Sequence, residues 1–170
     1  MDPQVLAQSV IEIFRRNLTE HYFDKSGRVS RQEFWYFILG CCVVSLAAAI
    51  LDAILHTGIL VSAVGLALLL PLAGIGARRL QDTGKNGSAV WLAIIPMGIN
   101  RVLAFLFGLS GPLGLVGLFF LWPIWSLIGL VTLVAVLWIG YLCAQPGTFG
   151  HNAFGPEPPS GVGSAPKAAT

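Results

Sequence analysis

Apolar residues fall in four long blocks along this chain, and polar residues are largely confined to the gaps between them. Residues 34–55, "FWYFILGCCVVSLAAAILDAIL", carry one charge, Asp52. Residues 59–77 carry none. A third block, 88–109, is interrupted by Pro96 and holds Arg101. The fourth run is uncharged for 31 positions, from 113 to 143. A bilayer hydrocarbon core about 30 Å thick needs roughly 20 apolar residues of helix, so each block predicts one membrane span. Only "HTG" separates the first two blocks, which therefore read as a helical hairpin. Pro96 is compatible with the third span because neighbouring helices can satisfy the carbonyl that a proline frees.

A helix over the whole fourth run would extend about 46 Å at 1.5 Å per residue. Proline suits the first turn of a helix, so Pro123 places the fourth span at 123–143. "GPLGLVGLFFLW", 111–122, is then a re-entrant piece, an interfacial piece or a tilted extension of that helix. Ahead of the first block, Leu6, Val10, Ile13, Phe14, Leu18 and Tyr22 recur at spacings of three and four, with Glu12, Arg15, Arg16 and Glu20 mainly on the other side. This pattern predicts an amphipathic helix within residues 1–26, lying on the membrane surface or docked on the protein's own cytoplasmic face. Residues 156–170 have too little apolar content to order themselves and read as a flexible tail. The organisation is an all-α integral membrane domain over 27–155, a four-helix bundle flanked by an amphipathic helix and a tail.

Composition supports this reading and adds an orientation. The chain of 170 residues is 55% hydrophobic and 11% charged, with a mean hydropathy of +0.77. A soluble domain carries about 25% charged residues, so lipid must solvate much of this chain. Of ten Lys and Arg residues, five precede Trp35 and three (Arg78, Arg79, Lys85) lie in the connector after the second block. The connections at 56–58 and 110–112 carry none. The positive-inside rule then places both basic segments, and with four spans both termini, in the cytoplasm. A charged amphipathic segment before the first apolar run is the wrong layout for a cleavable signal peptide. Cys41, Cys42 and Cys143 lack metal-ligand spacing and read as small apolar packing residues.

The polar connectors hold the candidate chemistry. Ser30 and Glu33 form an S-x-x-E capping box that starts the first span. Arg28 and Arg31 beside it are placed to hold lipid phosphate or to pair with acids of the other cytoplasmic loop. Gly84-Lys85 lacks the Walker pattern, because Arg79 stands where its first glycine belongs and Asn86 where its Ser or Thr belongs. "DTGKNG" reads instead as a turn started by Asp82. Arg78 and Arg79 extend the second helix into the headgroups and offset its macrodipole, with an Arg–Asp pairing expected nearby. Asp52 and Arg101 both fall in the outer half of the bilayer, where an unpaired charge costs on the order of 2.5–3.5 kcal/mol, so mutual pairing is an economical arrangement. Independent snorkelling of each to the outer interface is the alternative. His21, His56 and His151 are far apart, and no metal site, cofactor motif, nucleic-acid-binding pattern or nucleophile–base set emerges.

Three motifs in order, "SGRVSRQEFW", "ARRLQDTGKNG" and "PGTFGHNAFGPEP", resemble the YhaH-like bacterial inner-membrane proteins, the family called domain of unknown function 805. The likeness covers roughly residues 22–158. It implies a bacterial inner-membrane location and a family whose activity is unestablished. Gln81 stands where the family usually has His, and Ser88 and Ala89 replace a usual pair of aromatics. The stretch 97–143 is longer than in short members, which supports a fourth span. With both termini inside, the matching residues Arg28, Ser30, Arg31, Glu33, Arg78, Arg79, Asp82, Thr83 and Asn152 would share one cytoplasmic cap. The expectation is a non-enzymatic membrane protein whose cap binds a partner protein or anionic lipid; a homo-oligomer is compatible with it. The alternative is a small transporter or channel subunit using the Asp52/Arg101 pair.

Overall fold

A computed structural model describes residues 3–110 and 112–158. The fold is an all-α membrane bundle with five helices among the described residues: α1 (Pro3–Thr19), α2 (Arg31–Leu55), α3 (Leu60–Asp82), α4 (Trp91–Leu109) and α5 (Pro112–Ala144). A single 3-10 turn, Gly87–Val90, leads into α4. Among the described residues, four segments are long and apolar enough to cross a membrane: Arg31–Leu55, Leu60–Asp82, Gly87–Leu109 and Phe119–Ala144. Their alternating directions give the bundle a polar end, where α2 and α4 start and α3 and α5 finish, and a hairpin end formed by the two short connections.

α3 is the central helix. It packs against α2 on one side and α4 on another, and α5 packs mainly on α4. The core gathers toward the polar end: Phe34 and Phe37 of α2, Ala73, Ile75, Ala77 and Leu80 of α3, Ala93 and Ile94 of α4, and Ile139, Leu142 and Cys143 of α5. Toward the hairpin end the helices turn their large side chains outward, with Phe119, Phe120 and Trp122 of α5 strongly exposed. In water that surface would drive aggregation; in a bilayer it meets lipid.

α1 docks on α2. Ile13 is buried at the centre of its inner face, and Phe14 stacks on Phe37 with ring centroids 5.4 Å apart. Phe14 also lies where a side chain on Gly40 would sit, so glycine is what lets α1 approach α2 this closely. The connection after α1 then runs along α3. The Asp24 carbonyl oxygen lies against Gly74, and Phe23 meets the Trp91 ring edge-on. Pro71 has no N–H to give the carbonyl of Ala67, four residues before it. The Tyr22 hydroxyl donates to that oxygen at 2.8 Å, which satisfies a group otherwise orphaned in an apolar setting.

Two helix boundaries differ from the expectation. α5 is continuous from Pro112, so Pro123 lies inside it rather than in its first turn. Among the forms considered for 111–122, the chain takes the helical extension from residue 112 onward, while Gly111 lies outside the described residues. The physical reason is that an apolar segment without water must satisfy its own backbone groups, and helix does so at the loss of one N–H bond to the proline. α3 includes Arg78 and Arg79, as expected, but runs on to Asp82, so Asp82 ends a helix and does not start the turn. Asn86 takes that role, its side chain accepting from the Ser88 N–H at 3.0 Å. Most of the sequence assigned to a tail, 159–170, lies outside the described residues.

Candidate functional site

The polar end is organised by Asp82. As the last residue of α3 it presents a carboxylate that is 4% exposed and pairs with two guanidinium groups. One belongs to Arg79, a turn earlier on the same helix. The other belongs to Arg28, 54 residues earlier, whose Nε donates at 3.0 Å and whose Nη2 lies 2.9 Å from the same oxygen. The remaining donors reach backbone. Arg79 donates to the carbonyls of Val29, Cys143 and Gln145. Arg28 donates to those of Thr148, Gly150 and Gly155. Burying a guanidinium is costly unless its donors are matched, and here the matches come from three chain segments that no local structure would bring together.

The segment after α5 is held from its other side as well. The carbonyl of Asp82 accepts the Thr148 N–H at 2.8 Å and the Thr148 hydroxyl at 3.0 Å. Asn152 donates to the Gln81 carbonyl at 3.0 Å and to the Thr148 hydroxyl oxygen at 2.9 Å. A Cβ on Gly147 would collide with the Asp82 carboxylate, so "PGTFG" requires glycine there for contact. Lys85 reaches the Gln145 side chain at 2.8 Å. The result is a clasp that ties the α1–α2 connection, the end of α3 and the segment after α5.

A second polar contact flanks the clasp. Arg78 donates to Asn17 of α1 at 2.7 Å, and Asn17 donates back to the Ile13 carbonyl at 2.9 Å. Arg16 pairs with Glu33 at 2.5 Å. Glu33 thus closes onto α1, while its own N–H donates to the capping Ser30 hydroxyl oxygen at 3.2 Å. Thr83 turns its hydroxyl onto the Leu80 carbonyl at 2.8 Å and finishes the helix locally. Of the nine cap candidates, Arg28, Arg79 and Asp82 meet directly, and Asn152 joins them through the Gln81 carbonyl and the Thr148 hydroxyl; Arg31 is exposed and joins none of these contacts.

Asp52 and Arg101 do not pair among the described residues, which corrects the expected intramembrane ion pair. α3 starts at the hairpin with Ile59 before it, a residue with no capping side chain. Asp52 supplies the missing acceptor from across the turn, taking the Leu60 and Val61 N–H groups at 3.0 and 2.7 Å and the Thr57 hydroxyl at 2.5 Å. A carboxylate at a helix amino terminus is stabilised by the orphan N–H groups and the dipole. Arg101 instead lies across Gly65 of α3.

Asn17, Thr148 and Gly147 were not among the candidate residues. Asn17 had a legible signal, since it interrupts the apolar stripe of α1 one turn after Ile13. Thr148 and Gly147 stand inside the third motif, but nothing local assigns them to Asp82.

The sequence profile described as Protein of unknown function (DUF805) matches residues 22–156, which takes in the whole clasp and all four spans. The chain belongs to this family. Inner membrane protein YhaI of Escherichia coli strain K12 is 30% identical over 100 residues, covering 58% of this chain and 85% of the relative. Inner membrane protein YhaH of the same strain is 31% identical over 83 residues, 45% of this chain and 69% of the relative. No solved structure matches the chain. The DUF805 match joins the clasp to membrane helices, and the similar proteins are inner-membrane proteins.

Proposed function

We propose that this DUF805 protein is a non-enzymatic inner-membrane protein whose polar end faces the cytoplasm and engages anionic lipid headgroups. The clasp itself is closed: its two guanidinium groups are occupied by one carboxylate and six backbone carbonyls, which leaves no free group for a substrate. The observation that carries the reading is the rim around it. Arg15, Lys25 and Arg31 are exposed, and none has a carboxylate partner among the described residues. A rigid clasp holds this rim at the level where the helices leave the apolar layer. Each basic side chain near an anionic leaflet contributes about 1 kcal/mol of attraction. Exposed Glu12 and Glu20 keep the net attraction modest, and salt screens it.

The test is melting of the purified protein in neutral micelles doped with phosphatidylglycerol or phosphatidylcholine, at low and high salt. Phosphatidylglycerol should raise Tm at low salt, and the triple variant R15Q/K25Q/R31Q should lose that rise while melting normally in neutral micelles. Equal shifts in wild type and triple variant would remove the rim as the binding surface.

A further inference from the structure

The connector between α1 and α2 dips well below the clasp. Its Asp24 carbonyl oxygen lies against Gly74, eight residues before Asp82, so the connector passes about 12 Å closer to the hairpin end than the clasp does. Tyr22 goes deeper. Its hydroxyl donates to the Ala67 carbonyl, seven residues and about 10 Å beyond Gly74, so the ring runs along α3 toward the hairpin end. A tyrosine at a membrane surface ordinarily keeps its hydroxyl at the wet end. Aimed inward it needs a protein acceptor, and the carbonyl that Pro71 leaves free supplies one.

The surface changes character at this level. Leu70, one turn hairpin-ward of Gly74, and Leu92, just inside α4, are exposed and belong to the lipid-facing surface. Past Asp24 the chain climbs to Arg28 at Asp82, and Lys25 and Ser26 on this rising arm are exposed as well. Tyr22 and Phe23 stand between, both partly exposed. Phe23 meets the Trp91 ring edge-on and carries the Lys25 ammonium 4.9 Å from its own centroid. Aromatic rings at the edge of an apolar surface, with a lysine stem laid over one of them, suit the headgroup level. We propose that Tyr22 and Phe23 are an interfacial anchor, seated at the boundary between headgroups and acyl chains of the leaflet at the polar end. The clasp then stands at the aqueous edge of the headgroup layer. The anchor is apolar, so it holds in neutral lipid and does not rest on the rim's attraction for anionic headgroups.

Depth is read by spin labelling of the full chain in phosphatidylcholine nanodiscs. Cys41 and Cys42 are replaced by alanine, and the fully buried Cys143 stays in place. Nitroxides are attached separately to Phe23→Cys, Lys25→Cys and Phe149→Cys, the last as a reference because Phe149 is 92% exposed on the clasp segment. Power saturation then compares collisions with oxygen, which concentrates in acyl chains, and with a water-soluble nickel chelate. The label at residue 23 should favour oxygen, the one at 149 should meet the chelate freely, and the one at 25 should fall between them. Chelate contact at 23 equal to that at 149 overturns the anchor. If Phe23→Cys fails to insert, residue 25 decides: several-fold less chelate contact than at 149 upholds the anchor, and equal contact overturns it. Because the lipid is neutral, a failure of the rim to select phosphatidylglycerol leaves this result untouched.

Discussion

Arg79 and Arg101 are the same residue type set in two opposite situations. Arg79 is 1% exposed at the polar end, and its donors meet Asp82 and three backbone carbonyls. Arg101 lies in the hairpin half with no protein acceptor among the described residues, on a gap left by Gly65 of α3. The contrast teaches how a chain this poor in charge deploys it. At the polar end, charge is buried to join distant segments, and the helices pack a core behind it. In the hairpin half, packing is thin and lipid completes the surface, so a charge there either caps a helix, as Asp52 does, or lies along a neighbouring helix, as Arg101 does across Gly65.

The sharpest way to break the comparison is to remove each arginine in turn. Arg79→Ala leaves Asp82 and three carbonyls with a lost partner inside the bundle, and breaking such a buried pair should cost about 3–5 kcal/mol. Melting in lipid-free micelles should fall steeply for Arg79→Ala and stay close to wild type for Arg101→Met. Arg79→Lys should rescue little, because an ammonium cannot reproduce the planar fork. Equal losses for the two arginines would erase the distinction between the ends.

Gly147→Ala probes the same clasp by crowding it. A methyl group forced against the Asp82 carboxylate should cost roughly 1–3 kcal/mol, read as a lowered denaturation midpoint. The hairpin end is sharpened by a double-mutant cycle. Asp52→Ala removes the acceptor for two α3 N–H groups and should lower Tm by less than Arg79→Ala does. Combined with Arg101→Met, the losses should add, since the two side chains share no partner. A coupling well above experimental error would restore the ion pair that the geometry removes.

Tyr22→Phe should cost about 1 kcal/mol, the worth of one hydrogen bond. In a Pro71→Ala background the restored N–H can serve the Ala67 carbonyl, and the same Tyr22→Phe change should then cost less. The smallest effect concerns acid. The Ser26 hydroxyl and N–H, together with His21, hold the Asp24 carboxyl below the ordinary aspartate range. A depressed folded-state pKa contributes stability that is present at neutral pH and lost as pH falls through that depressed value. The acid limb of Tm against pH should therefore flatten slightly in Asp24→Asn, with Tm slightly below wild type at neutral pH and the two curves converging in acid.

Much of the clasp was legible in part. Arg79 and Asp82 stand three residues apart on one helix, a spacing that puts their side chains on the same face. The grouping of Arg28 and Asn152 with them rested on the order of the motifs and the expected sidedness of the spans. Ser30 before "RQEFW" declared its cap locally. Glu33 was misassigned within that cap, because its carboxylate has a stronger partner in Arg16, and that partner exists only once α1 folds back on α2. Asp52 was misread for the same kind of reason: its true partners are N–H groups across a three-residue turn, invisible to a count of charges.

The sequence by itself determined that the chain crosses a membrane as helices, and about where. Without water, each span must close its own backbone hydrogen bonds, and bilayer thickness then sets its length, so local hydropathy suffices. The tertiary structure alone decided which acceptor each guanidinium meets, that Gly65 makes room for Arg101, and that Tyr22 answers Pro71. Those outcomes depend on the registers between helices. Registers are set by contacts such as Phe14 on Gly40 and Asp24 on Gly74, made between residues tens of positions apart. No local pattern encodes them, because each is a fit between two surfaces rather than a property of either one.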